Sequence, residues 1–296
     1  MLSLEDIHAA RGPVEEVARR TPLDHSTTFS ERTGAEIHLK LENTQRTGSF
    51  KIRGAANRIA QLCPTAADAG VVTASAGNHA QGVALAAERA GVDATVAMPE
   101  YAPVSKVDAT RSYGARVVLD GIDYDAAQAR AHEIEREEGR TYVHAFDDEA
   151  VMAGQGTLGL EVADQLPSVD TVVVPIGGGG LISGVATALT GELDDVRVVG
   201  VQAAGADSAA RSLNKGRRTE TTTVDTIADG IAVRAVGEQT FPVIEDRVDE
   251  IVTVDDEEIA LALTLLLERS KTLVEGRERS RWRPSRRTRS TTTTEK

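Results

Sequence analysis

A single lysine, Lys51, stands between Phe50 and Ile52 in the stretch "TGSFKIRGAAN" (residues 47–57), with Gly48 and Gly54 on either side. Lysine is scarce in this chain, accounting for six of its 33 basic residues. An amine placed among apolar neighbours loses its proton more readily, and only the neutral amine attacks a carbonyl carbon to make a Schiff base. The same residue also fits a surface lysine whose methylene stem covers apolar neighbours. Other segments must decide between the two.

Two further segments carry chemistry. In "IGGGGLISG" (residues 176–184), the four glycines Gly177 to Gly180 crowd bare backbone N–H groups just before a helix start, where the helix dipole also favours an anion. The dinucleotide pattern G-x-G-x-x-G is broken at Ile182 or Ser183, and Val185 stands where an ATP-binding loop needs its lysine. A phosphate cradle of another kind, or a glycine turn with no ligand, remains. In "SAGNHAQG" (residues 75–82), Ser75, Ala76 and Gly77 are small enough for a ligand to approach closely, and Asn78 offers both a donor and an acceptor. His79 fits a core or capping histidine as well as a ligand contact. A neutral loop opening a helix can hold a small carboxylate.

All three segments need positioning, and the pattern around them supplies it. Short β-branched runs alternate with helical stretches: "GVVTAS" then "NHAQGVALAAERAG", "ATVAMP" then "APVSKVDATRSYG", "ARVVLDG" then "DYDAAQARAHEIEREEG". A second series holds "TVVVPIGGGG", "LISGVATALTGEL", "VRVVGVQ" and a late helix "DDEEIALALTLLLERSKTL". Such alternation predicts an α/β fold of two lobes, each with a mostly parallel sheet covered by helices. No long linker separates the lobes, so they should be in intimate contact. In sheets of this kind ligands bind beyond the carboxyl ends of the strands, where these segments fall.

Composition narrows the setting. The 296 residues carry a net charge of −13, with 46 acidic residues, a pattern that suits a chain kept soluble in high salt and argues against nucleic acid or an anionic membrane as partner. The start "MLSLEDIHAARG" lacks the layout of a secretory signal, and no apolar run reaches membrane-spanning length, so the cytoplasm is the expected compartment. Cys63 is the only cysteine, which excludes an internal disulfide and a cysteine-based zinc site.

A reactive amine, a phosphate cradle and a carboxylate loop are together what pyridoxal phosphate and an amino-acid substrate require. The segments "RTGSFKIRGA", "SAGNHAQGVA", "MPEYAPVSKV", "AGQGTLGLE", "VPIGGGGLISG" and "TIADG" resemble, in order, those of the threonine dehydratase (threonine ammonia-lyase) family of fold type II pyridoxal-phosphate enzymes, which are tryptophan synthase β-like in architecture. The resemblance runs over roughly residues 10 to 276. It implies that Lys51 is the Schiff-base lysine, that Phe50 lies against the cofactor ring, and that Asn78 hydrogen-bonds the ring hydroxyl. It implies that Gly177, Gly178, Gly179, Gly180 and Leu181 bind the phosphate, and that Ser75, Gly77, Asn78 and His79 hold the substrate carboxylate. It further implies a homo-oligomer, a larger domain of residues 1–44 and 146–276, and a smaller one of residues 45–145. The expected reaction converts L-threonine to 2-oxobutanoate and ammonia, and L-serine to pyruvate and ammonia.

Serine racemases resemble these enzymes throughout but carry a second serine after the first in the asparagine loop, where this chain has Ala76. Alanine moves no proton, so elimination is favoured over racemisation. No metal is expected: Gln202 and Ser208 stand where a racemase-like cation site has glutamate and aspartate, leaving Asp207 and the Ala206 carbonyl. A protein that keeps the fold and binds without reacting is the alternative of a different class. The end of the chain departs from everything before it. Residues 277–296 hold seven arginines and one lysine against two glutamates. Back-translated with GC-rich codons and read from the third base, "RERSRWRP" gives the small apolar residues that follow "VEG" in the family. The expectation is a shift of reading frame near Gly276 that replaces the family's Ser-Gly-Gly-Asn turn with a disordered basic tail and impairs activity. Resequencing the gene tests it, and an uninterrupted frame through this point removes the idea.

Overall fold

The computed structural model describes residues 1–273, so the tail expected at residues 277–296 and its junction at Gly276 lie outside the described residues. The chain opens with α1 (Leu4–Val17), started by a capping box between Ser3 and Asp6. A short antiparallel pair follows, β1 (Leu23–His25) and β2 (His38–Lys40), with α2 (Thr27–Thr33) between them. Next come α3 (Lys51–Ala60) and α4 (Pro64–Ala69). The first alternating series is β3 (Val71–Ala74), α5 (Asn78–Ala90), β4 (Ala94–Met98), α6 (Val104–Ser112), β5 (Arg116–Leu119), α7 (Tyr124–Glu138) and β6 (Thr141–Tyr142). Its strands form one parallel sheet in the order β5-β4-β3-β6.

The long α8 (Glu149–Gln165) leads into β7 (Thr171–Pro175), α9 (Gly180–Glu192), β8 (Arg197–Ala203), α10 (Ser208–Lys215), α11 (Thr240–Arg247), β9 (Glu250–Val254) and α12 (Asp256–Arg269). These strands form a second parallel sheet, β7-β8-β9. The α/β expectation therefore holds. Every residue of β3 and β4 is buried, because helices cover both faces of the first sheet and an unbroken apolar run is the result. The second sheet is more open, with Val173 of its edge strand 62% exposed. No residue of α12 is buried, and Leu261 and Leu267 stand exposed on it.

At the centre lies α8, whose helical character the sequence conceals. Residues 151–160 are all buried, so no polar face marks a period, and Gly154, Gly156 and Gly159 each lower helix propensity by roughly 1 kcal/mol. Those glycines allow backbone-to-backbone contact on two sides. A Cβ on Gly154 would lie 2.5 Å from the carbonyl oxygen of Arg53 and 2.6 Å from Cα of Gly54, on α3. On the other side, a Cβ on Gly184 of α9 would lie 2.3 Å from the carbonyl oxygen of Met152 and 2.5 Å from N of Gly156.

A buried charge network completes the attachment of α3. Arg53 is only 1% exposed, and its guanidinium donates to both oxygens of Glu42 at 2.7 and 2.9 Å and to both oxygens of Glu161 on α8 at 2.7 and 3.1 Å. Lys40 donates to Glu161 as well, at 2.6 Å. Removing one member of such a set leaves an uncompensated buried charge, at a cost of about 3–5 kcal/mol.

Because the atoms facing Gly184 are main chain and cannot rotate away, Gly184→Ala should destabilise the fold by about 1–3 kcal/mol. Urea unfolding reads the effect, and an unchanged midpoint would show that α8 and α9 are not held at backbone contact.

Candidate active site

Lys51 is the first residue of α3, and its helix start is pressed against α5: a Cβ on Gly82 would lie 3.0 Å from both the carbonyl carbon of Lys51 and N of Ile52. The amine Nζ donates to the carbonyl oxygen of Ala145 at 2.8 Å and lies 5.4 Å from the centroid of the Phe50 ring. Among the described residues no carboxylate pairs with it. Burial without a counter-charge pushes its pKa down to about 8. The positive end of the α3 dipole acts in the same direction. Phe50 itself packs on the core cluster that contains Ile176 and Ile182.

The glycine loop runs from the end of β7 into α9. Gly179 caps the helix with φ +97°, a left-handed conformation that side chains resist. A Cβ on Gly178 would lie 2.4 Å from ring atoms of Phe146, and one on Gly179 would lie 2.7 Å from Oγ1 of Thr240, so a side chain at either position would collide with packed neighbours. The carbonyl of Gly178 is tied down by N–H of Gly237 at 3.0 Å and by the Thr240 hydroxyl at 2.7 Å. Meanwhile the N–H groups of Gly177, Gly178, Gly179, Gly180 and Leu181 have no protein acceptor among the described residues. Five such donors at a helix N-terminus form an anion cradle.

What joins amine to cradle is the segment Val143–Asp147, which the sequence analysis did not single out. Its Ala145 carbonyl holds Lys51, and its Phe146 ring lies against Gly178. His144 accepts the N–H groups of Phe146 and Asp147 through Nδ1, at 3.2 and 2.7 Å, and so fixes the bend. Asp147 in turn accepts from N–H of Glu238 and Gln239 at 3.0 and 2.8 Å, just before α11. The available signal was positional: "VHAFDD" follows a strand at the carboxyl edge of the first sheet and ends in Asp148, the cap of α8.

The asparagine loop reaches the same segment. His79 is 3% exposed, and its Nε2 donates to the carbonyl of Val143 at 3.0 Å. Burial first, and the nearby Lys51 amine second, hold its pKa down to about 3, so the ring is neutral. The imidazole thus points into the core, and the part of His79 turned toward the loop is its main-chain N–H, in the first turn of α5. Ser75 accepts N–H of Gly77 through Oγ at 3.1 Å, which leaves the hydroxyl proton available to donate. Asn78 opens α5, and its Oδ1 accepts from Nζ of Lys106 at 3.3 Å. The structure places all three segments around Val143–Phe146.

Two of the positions compared with a cation site, Gln202 and Asp207, bond within the fold, while the buried Ser208 hydroxyl has no hydrogen-bond partner. Gln202, fully buried, donates to the carbonyl of Ile176 at 3.4 Å and accepts N–H of Ala210 at 3.0 Å. Asp207 pairs with Arg211 at 2.7 Å. No helix among the described residues is long and apolar enough to cross a membrane.

Residues 14–278 match the family described as pyridoxal-phosphate dependent enzyme. An L-threonine ammonia-lyase of Geobacter sulfurreducens is 54% identical over 276 residues, which is 93% of this chain and 69% of that relative. The processed form of threonine deaminase isoform 2 from Solanum lycopersicum superimposes with a TM-score of 0.90 at 42% identity, covering 92% of this chain and 79% of that one. Maize serine racemase also gives 0.90, at 36% identity, covering 93% and 83%.

The depressed amine pKa has a measurable sign. Reaction of Lys51 with a small aldehyde, trapped by borohydride, should rise with pH through a midpoint near 8. In the unfolded chain the amine keeps its ordinary value of 10.5, so between about 8 and 10.5 the unfolded state binds the extra proton and folding stability rises with pH. Lys51→Met should therefore stabilise the ligand-free protein at pH 7, with a gain that shrinks as pH passes from 8 to 10. A midpoint near 10 in the trapping assay would sink this account.

Proposed function

Because the chain belongs to the pyridoxal-phosphate dependent enzymes, we propose that it is an L-threonine ammonia-lyase, releasing ammonia and 2-oxobutanoate from L-threonine and ammonia and pyruvate from L-serine. The observation that carries the assignment to these residues is the desolvated Lys51 amine, without a carboxylate, joined through Ala145 and Phe146 to five free N–H groups. A phosphate-bearing aldehyde fits this donor set.

In this reading the N–H groups of Gly177 to Leu181 would hold the phosphate, Phe50 would lie against the ring, and Asn78 would hydrogen-bond the ring hydroxyl. When bound, pyridoxal phosphate supplies an electron sink for the charge left at the substrate Cα. Ser75, Gly77, Asn78 and His79 hold the substrate carboxylate at the N-terminus of α5, where hydroxyl and main-chain donors converge with the helix dipole. Lys51, neutral in a large fraction of molecules near pH 8, takes the proton from Cα. Overall, water leaves from Cα and Cβ and is returned when the C–N bond is hydrolysed, so the amino acid is converted to 2-oxo acid and ammonia without an external oxidant.

Elimination is favoured over racemisation by Ala76, whose methyl group packs on the apolar cluster of the first sheet and offers no proton to the opposite face of Cα. The division into residues 1–44 with 146–276 and residues 45–145 belongs to the same reading, with the cleft between them as the substrate entrance. So do a cytoplasmic location and a homo-oligomeric state.

Lys51→Ala should lose the visible absorbance of the lysine-bound cofactor and reduce ammonia release from L-threonine to background. A borohydride-stable adduct formed at normal yield in that variant would assign the chemistry to another lysine. Ala76→Ser should raise serine racemisation relative to pyruvate formation, by up to about 100-fold if the new hydroxyl acts as a proton donor. Chiral chromatography with a pyruvate assay reads the ratio, and no change would remove Ala76 from the argument on specificity.

A further inference from the structure

The packing of α3 and α9 on α8 fixes the main chain at Lys51 and at Gly180, but the reactive Nζ lies at the end of a flexible four-carbon stem. What places the amine itself is the carbonyl of Ala145, which accepts from it at 2.8 Å. That carbonyl sits in a bend held by one side chain. Nδ1 of His144 accepts two main-chain N–H groups, from Phe146 at 3.2 Å and from Asp147 at 2.7 Å, and so turns the chain back over three residues. A ring nitrogen that accepts carries no proton, so the tautomer of His144 is set by the bend. The His144 ring also stands edge-on to the ring of Phe146, with centroids 4.6 Å apart.

The other residues of the bend are attached to the glycine loop. A Cβ on Gly178 would lie 2.4 Å from the Phe146 ring, and one on Gly180 would lie 2.9 Å from the Phe146 carbonyl oxygen. The Asp147 carboxylate accepts N–H of Glu238 and Gln239, and the adjoining N–H of Gly237 donates to the carbonyl of Gly178. One turn of chain therefore holds the amine by its second residue and packs on the glycine loop by its third.

We infer that His144 is a positioning residue that places Nζ of Lys51 relative to the glycine-rich start of α9, so that one molecule carrying both an aldehyde and a phosphate engages the two together. The inference rests on the proposed function. An amine and an anion site each bind their own group weakly. When the two groups belong to one molecule and the sites are held at its spacing, the second contact becomes intramolecular and adds to affinity without a new bond. That gain depends on the spacing being fixed before binding. With the bend opened, Ala145 and Phe146 cease to move as a unit, and the amine samples several positions while both binding groups persist. His144 acts through the main chain of the bend.

The test compares two ligands. Dissociation constants for pyridoxal phosphate and for pyridoxal, the same aldehyde without its phosphate, are measured by absorbance titration on the full chain. The native protein, His144→Leu, His144→Gln and His144→Asn are titrated. His144→Leu should weaken pyridoxal phosphate about tenfold and pyridoxal by less than about twofold, lowering the preference for the phosphate ester. Asparagine carries an oxygen on Cγ where histidine carries Nδ1, so His144→Asn keeps an acceptor for the two N–H groups and should recover most of the native preference. In His144→Gln the oxygen stands one bond farther out, and the preference should fall as in His144→Leu; this variant decides if the leucine variant does not fold. An unchanged preference in these two variants overturns the inference, and so does an equal loss for both ligands, which marks damage to the amine or to the fold. A preference in His144→Asn as low as in His144→Leu overturns it as well, because the acceptor is then not what matters. Failure of the native chain to bind pyridoxal phosphate through Lys51, read by borohydride trapping and peptide mapping, removes the proposed function and this inference with it. Binding through Lys51 with a preference indifferent to His144 removes only the inference.

Discussion

Two helices carry the groups of the candidate site, α3 with its buried lysine and α9 with its glycine-rich start, and both are brought against α8 at distances that a single methyl group would forbid. The clearances of 2.3 to 2.6 Å around Gly154 and Gly184 are set by main-chain atoms on each side. Side chains can adjust to one another, whereas backbones in contact have one register. The spatial relation between the start of α3 and the start of α9 therefore follows from the thickness of three helices packed without intervening side chains. This constraint makes α8 the ruler of the site. The segment Val143–Asp147 then spans the short gap that α8 leaves at its own N-terminus.

Electrostatics depend on the same arrangement. Positions two apart on a helix point to nearly opposite sides, so Lys51 and Arg53 face different surroundings from within one turn of α3. Arg53 takes both oxygens of Glu42 and both of Glu161. These carboxylates are thereby committed on the far side of the helix, and Lys51 is left with a neutral carbonyl from Ala145. A lysine paired with a carboxylate would be held protonated. One helix thus carries a fully neutralised cation that attaches it to α8 and a second, buried amine without a counter-charge.

How much of this was legible in the sequence follows from where each signal resides. Lys51, the four glycines and the asparagine loop could be found because each is a local pattern with a chemical meaning. The β3 and β4 runs were readable because burial on both faces leaves nothing but apolar residues. The α8 helix is hidden from pattern reading, since uniform burial and three glycines erase both period and propensity. The bond between Lys51 and Ala145 joins residues 94 apart, and that between Lys106 and Asn78 joins residues 28 apart, so neither could be inferred from spacing. For His79 the residue alone suggested a core histidine, while the family likeness implied a carboxylate contact. Its ring bonds to the carbonyl of Val143 inside the fold, and the first-turn N–H is what remains for a ligand.

The late helix α12 leads in another direction. It is well started, by the capping box of Asp255 and Glu258, yet the fold buries none of its residues and leaves Leu261 and Leu267 in water. Inside a cell such a helix is what chaperones bind and proteases grip, and abundance there follows from how often such a segment is uncovered. The exposed leucines of α12 bear on how long the polypeptide lasts, a matter separate from the geometry around Lys51.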